Sequence, residues 1–132
     1  MIVIYTDGAF SSTRNQGGWA FVVLKDGEKI HHSFFPEKHT TNNRMEIMGS
    51  LKAIEWCIEN DIKGFTIITD SMYVIGTMTL NWKRKKNNDL WDIMDDKIKD
   101  LNIEWQHVKG HSGDKYNNLC DMLAVEASHC NN

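Results

Sequence analysis

Ile2-Val3-Ile4-Tyr5-Thr6-Asp7-Gly8 opens the chain. Ile2 to Thr6 are apolar, β-branched or aromatic, which is the composition of a buried strand, and Asp7-Gly8 reads as its stop. The same pattern returns at Phe65-Thr66-Ile67-Ile68-Thr69, stopped by Asp70-Ser71. If these two strands are parallel neighbours, Asp7 and Asp70 emerge together at the carboxyl end of a sheet. In open α/β sheets the crevice at that end, where the strand order reverses, is the usual place for a site.

The remaining elements are read outward from this pair. After the polar stretch Ser11 to Gln16 and Gly17-Gly18, Trp19 to Leu24 forms a second strand. Asp26-Gly27 is a hairpin turn signal, Lys29 to Phe35 a third strand, and Pro36, the only proline, closes it. Thr41-Asn42-Asn43 caps a helix over about Asn43 to Asn60, on which Ile47, Leu51, Ile54 and Ile58 recur at helical spacing. Helices follow at about Ser71 to Leu80 and Asn88 to Lys99, a fifth strand at Ile103 to Val108, and a last helix at about Tyr116 to Ser128. Three consecutive strands imply an antiparallel meander, and the strand–helix–strand units add parallel strands by right-handed crossovers. The expected fold is α/β: a mixed five-stranded sheet with helices packed on its faces.

With 132 residues, 41% hydrophobic and 25% charged, the composition is that of one globular domain, residues 1–132, able to bury a core without staples. No apolar run is long enough to span a membrane, and the apolar start is too short for a signal peptide. A cytoplasmic protein is expected. Cys57, Cys120 and Cys130 lack C-x-x-C spacing, which indicates neither a disulfide framework nor a zinc site. The net charge of −3 argues mildly against a nucleic-acid binder, but Trp82-Lys83-Arg84-Lys85-Lys86 is a concentrated basic stretch. It reads either as a solvated loop or as a phosphate-binding arm.

Four acids stand out: Asp7, Glu46, Asp70 and Asp121. Either aspartate at a strand end could be a turn residue or cap when taken alone. Glu46 shares a helix face with Gly49, Ser50, Ala53 and Cys57, all small, so that face can approach a sheet closely. A carboxylate there is costly unless paired or metal-bound, and Arg44 points elsewhere on the helix. The other reading of Glu46 is a solvated first-turn acid favoured by the helix dipole. Asp121 lies among Leu119, Met122 and Leu123, read as core, and locally it could be exposed. Clustered carboxylates raise one another's pKa without metal. All-oxygen ligation suits Mg²⁺ or Mn²⁺, and a pair of such ions can clamp the attacking water and leaving oxygen of a phosphodiester.

Four segments carry a resemblance. They are Ile4-Tyr5-Thr6-Asp7-Gly8; Thr40-Thr41-Asn42-Asn43-Arg44-Met45-Glu46; Thr69-Asp70-Ser71 with Tyr73-Val74; and Val108-Lys109-Gly110-His111 with Asn117 and Cys120-Asp121. In order and spacing they resemble type 1 ribonuclease H over essentially the whole chain. The resemblance implies the sheet order 3-2-1-4-5 with helices on both faces. It also implies an endonuclease that cuts the RNA strand of RNA–DNA hybrids and leaves 5′-phosphate and 3′-hydroxyl ends. Asp7, Glu46, Asp70 and Asp121 would hold two Mg²⁺ ions, with Mn²⁺ as a substitute. His111 matches a mobile histidine assisting proton transfer or product release. Asn42 and Asn43 match minor-groove contacts, Asn117 a residue near the scissile strand, and Thr41 a contact to a DNA phosphate. Trp82 matches an aromatic lining the DNA-strand channel, and Lys83, Arg84, Lys85 and Lys86 would add phosphate contacts. Read without the family, Trp82 could equally be core and His111 a surface histidine. A zinc pair of His107 and His111 is disfavoured because they sit on a strand end and a glycine loop.

The sequence departs from the family in three places. Phe10 to Gln16 replaces the usual Gly-Asn-Pro-Gly type turn, Met72 stands where glutamine is usual, and the basic protrusion is shortened. A monomer is expected, and the shortened protrusion leaves room for an accessory hybrid-binding partner. Within the same fold superfamily, 3′–5′ exonucleases carry Asp-x-Glu on the first strand, whereas this chain has Asp7-Gly8-Ala9. A non-catalytic hybrid-binding module would be free to lose a carboxylate or the histidine loop, and this chain keeps all of them.

Overall fold

The computed structural model describes residues 1–110 and 112–130. Its elements run β1 (Ile2–Ser11), β2 (Gln16–Lys25), β3 (Glu28–Lys38), α1 (Asn42–Glu59), β4 (Gly64–Thr69), α2 (Met72–Thr79), α3 (Asn88–Lys97), β5 (Asn102–His107) and α4 (Lys115–Ser128). The sheet order is β3-β2-β1-β4-β5. β1 to β3 pair antiparallel, and β1–β4 and β4–β5 pair parallel. This is the mixed 3-2-1-4-5 sheet expected from the family motifs.

Side-chain alternation along the strands sorts the core into two layers. Ile4, Phe21, Val23 and Ile67 face one way and pack against Ile47, Leu51 and Ile54 of α1, Val74 of α2, and Leu90, Trp91 and Met94 of α3. Tyr5, Ala20, Val22 and Leu24 face the other way, against Cys120, Leu123 and Ala124 of α4. Helices therefore cover both faces. Met122, expected in the core, is instead 58% exposed, because α4 turns the Cys120–Leu123–Ala124 stripe to the sheet. All three cysteines are free. Among the described residues, no helix is long and apolar enough to cross a membrane.

Two strands run through the residues expected to stop them. β1 passes through Asp7-Gly8 and continues to Ser11, because its pairing with β2 runs on from Asp7–Ala20 to Ser11–Gln16. Its pairing with β4 ends at Thr6–Thr69. Asp7 thus lies within a strand, one residue past the point where its parallel neighbour stops. β3 likewise continues through Pro36 to Lys38, with Pro36 opposite Gly18. β3 is an edge strand, where a proline is tolerated.

Candidate active site

Asp7 and Asp70 lie side by side where the parallel pairing of β1 with β4 ends, since the Thr6–Thr69 pair immediately precedes both. Ser71 turns the chain from β4 into α2. Its hydroxyl accepts the Val74 N–H at 3.2 Å, and its own N–H donates to Thr69 Oγ1 at 3.1 Å. Glu46 arrives from α1. Thr41 starts that helix by accepting the Arg44 N–H at 3.2 Å, while Arg44 itself reaches away to Asp89, with N–O distances of 3.0 and 2.7 Å.

Two glycines allow the approach of α1 to β1. A Cβ on Gly8 would collide with the backbone of Met45 and Glu46, and one on Gly49 would lie 2.7 Å from the Asp7 carbonyl oxygen. Ser50, Ala53 and Cys57 continue this contact, all fully buried. Glu46 is therefore held on the packed face of its helix, 9% exposed, against Asp7 at 2%.

Carboxylate oxygens of Asp7, Glu46 and Asp70 lie within 4.8 Å of one another. Asp7 Oδ1 accepts the Gly8 N–H at 2.8 Å. Asp7 Oδ2 and Glu46 Oε1 are buried with no hydrogen-bond partner. The ion pairs among the described residues all lie elsewhere. Burial, then the charges of Glu46 and Asp70, push the Asp7 carboxyl far above its usual range. Burial is also the main cause that raises Glu46, followed among the raising effects by the charges of Asp70 and Asp121. Without a cation, this pair is relieved only by sharing a proton. Hard oxygen donors, buried and lacking any partner, fit a hard divalent cation.

Asp121 stands outside the 4.8 Å group, half-buried on α4, although its charge reaches Glu46. Asp114, which sequence reading passed over, fixes that helix in place. Its carboxylate caps α4 by accepting the N–H groups of Tyr116 at 3.0 Å and Asn117 at 3.1 Å, and it accepts the Tyr5 hydroxyl at 3.0 Å. The Tyr5 phenol is pushed up to about 12 by burial and by that carboxylate. The signal for Asp114 was its place directly before a helical run, the position of an N-cap. From this anchored helix, the buried Asn117 reaches Asp70 Oδ2 at 3.5 Å.

The family model described as RNase H matches residues 1–129. The chain belongs to the RNase H family. A relative named Ribonuclease H from Treponema denticola is 39% identical, with 96% of each chain covered. Among solved structures, the N-terminal RNase H domain of rv2228c from Mycobacterium tuberculosis, fused to maltose binding protein, superposes with TM-score 0.86 at 21% identity, covering 97% of this chain and 93% of that one. LC11-RNase H1 in complex with an RNA/DNA hybrid superposes at 0.85 with 22% identity, covering 98% and 97%.

The other residues named from the RNase H resemblance fall on two surfaces. Thr41, Asn42 and Asn43 are exposed at the start of α1. Trp82 is 44% exposed and follows α2, with Lys83, Lys85 and Lys86 exposed beyond it. Arg84, expected among the phosphate contacts, is engaged within the protein. It is half-buried, ion-paired with Asp95, and its guanidinium lies over the Trp91 ring at 5.5 Å, so it braces the arm to α3. The far end of the arm is Asn87, in the left-handed conformation with φ 62°. Its amide nitrogen donates to the Tyr73 hydroxyl at 2.9 Å, and its oxygen accepts from Arg44 at 3.2 Å. His111 lies outside the described residues.

Proposed function

We propose that residues 1–132 form one RNase H domain acting as an endonuclease that hydrolyses the RNA strand of RNA–DNA hybrids. The observation that carries this reading is the buried Asp7–Glu46–Asp70 cluster, whose Asp7 and Glu46 oxygens lack partners. It lies where the parallel pairing of β1 with β4 ends, in an RNase H fold. In this reading Asp7, Glu46, Asp70 and Asp121 hold two divalent ions, Mg²⁺ by preference and Mn²⁺ as a substitute. When bound, such ions supply Lewis-acid stabilisation of the phosphodiester and activation of water, giving 5′-phosphate and 3′-hydroxyl ends.

The chain's own residues do the rest. Gly8 and Gly49 keep the acids close enough to share a cation. Asp70 is less buried than Asp7, which leaves it the more accessible of the two to an incoming phosphate. Asn117 orients Asp70 and stands close to the incoming strand. Asn42 and Asn43 read the minor groove, where 2′-hydroxyls distinguish RNA from DNA. Thr41, Trp82, Lys83, Lys85 and Lys86 engage the backbone of the other strand. The family role assigned to His111 is proton transfer or product release, which suits an imidazole titrating near neutral pH. The same reading has the protein work as a cytoplasmic monomer, with an accessory hybrid-binding partner reinforcing its short basic arm.

A cleavage panel tests the proposal: end-labelled hybrid, single-stranded RNA, duplex RNA and duplex DNA, each with Mg²⁺ or Mn²⁺. Internal cuts confined to the RNA strand of the hybrid are expected. Indiscriminate cutting, or hybrid binding without cleavage in either metal, would overturn it.

A further inference from the structure

Trp82 stands on Gly76. α2 ends at Thr79 with Leu80 as its C-cap, the next residue, Asn81, takes the left-handed conformation (φ 56°), and the chain turns back across the helix's last turn. The Gly76 carbonyl then accepts two N–H groups, from Leu80 at 3.0 Å and from Trp82 at 3.1 Å. This brings the indole flat over the Gly76 Cα. A Cβ at that position would collide with Cδ2, Cε3 and Cε2, all atoms of the indole's rigid six-membered ring. Gly76 has no left-handed backbone to explain it and sits in the middle of an eight-residue helix, where glycine costs about 1 kcal/mol against alanine. The space above its Cα is what it contributes.

The seat fixes one ring face on the helix and leaves the indole 44% exposed. The segment beyond is held too, with Arg84 over Trp91 and Asn87 bound to Tyr73 and Arg44. A surface aromatic on a loop ordinarily loses rotamer freedom when it binds. Here that ordering is already present in the free protein.

We propose that Gly76 is a positioning residue for duplex binding, holding the Trp82 ring as a preformed surface against which the backbone of the strand over the basic arm packs. This rests on the hybrid-cleaving reading above, and the experiment separates the two. Wild type, Gly76→Ala, Trp82→Ala and the double variant are compared for hybrid KM and kcat, with circular dichroism as the fold control. Gly76→Ala is expected to raise KM about tenfold with kcat changed less than about twofold, the pattern of a lost binding contact that does not touch the chemical step. Trp82→Ala is expected to do the same. The double variant should match Trp82→Ala alone, because without the ring the alanine methyl meets nothing rigid. If Gly76→Ala fails to fold, the double variant must fold and match Trp82→Ala. A Gly76→Ala protein that folds and keeps its KM within about twofold overturns the proposal, as does a double variant whose KM rises well beyond that of Trp82→Ala. Failure of the wild type to cleave hybrid overturns the functional reading itself, a result distinct from either.

Discussion

Asp7 is a carboxyl buried beside two other acids, and its chemistry sets two expectations. Its folded-state pKa is raised by burial and by its acidic neighbours, so the native metal-free protein holds a proton that the unfolded chain releases near about pH 4. The sign follows: the stability contributed by that proton is complete below about pH 4 and is lost as pH rises through the raised folded value. Asp7→Asn removes the charge and keeps the shape. At neutral pH without metal, the variant is expected to melt more than about 3 °C above wild type, since one pKa unit is worth about 1.4 kcal/mol. In acid the gain should vanish. Adding Mg²⁺ should raise the melting temperature of wild type and not that of Asp7→Asn, because only the former binds it. Cleavage should be lost in the variant while hybrid affinity stays within a few-fold. A variant that still cleaves would remove Asp7 from the catalytic set. The residues differ in how far the sequence revealed them. Glu46 could be read from its small-residue helix face, and Asp7 and Asp70 from matching strand ends. Asp121 gave no local signal, because its placement depends on a helix anchored from a distant strand, through Tyr5 and Asp114.

At the scale of elements, the contact between α1 and β1 converts sequence into a site. Gly49 is buried in the interior of α1, where replacing glycine by alanine ordinarily stabilises a helix by about 1 kcal/mol. Here the added methyl would lie 2.7 Å from the Asp7 carbonyl oxygen and 3.2 Å from that of Ala20. Both are backbone atoms of paired strands, so the helix must move instead. Gly49→Ala is therefore expected to destabilise by about 1–3 kcal/mol, the usual cost of overpacking. It should also weaken Mg²⁺ binding, because Glu46 moves off with α1. Urea unfolding and metal titration measure both effects, and a stabilised variant would show that the contact is slack. The helices and the order of elements were legible because periodicity and caps are local signals. The strand ends were not. Asp7-Gly8 and Pro36 are turn residues by composition, yet pairing with β2 carries both strands past them. Sheet hydrogen bonding is non-local, and here it overrode the local punctuation.

At the scale of the whole molecule, a chain of net charge −3 must bind a polyanion through local fields alone. Asp7, Glu46 and Asp70 gather in one cluster, and the exposed lysines of residues 83–86 lie on a separate arm beyond α2. Sequence alone placed four cations on that arm. Folding divides them, because Arg84 is committed to Asp95 and Trp91 while Lys83, Lys85 and Lys86 stay exposed and form no ion pair among the described residues. This division predicts the salt dependence of hybrid binding. Each phosphate contact contributes a slope of about −0.7 to −0.9 in log affinity against log salt. Replacing Lys83, Lys85 and Lys86 together by alanine should make the slope shallower by about two to three units and weaken binding most at low salt. Arg84→Gln should leave the slope unchanged within about half a unit, and instead lower the melting temperature by loosening the arm from α3. Affinities measured across a salt series for both variants decide the matter. A slope that shifts as much for Arg84→Gln as for each lysine would mean that Arg84 leaves Asp95 to meet the duplex, and that binding rebuilds the arm instead of using it as it stands.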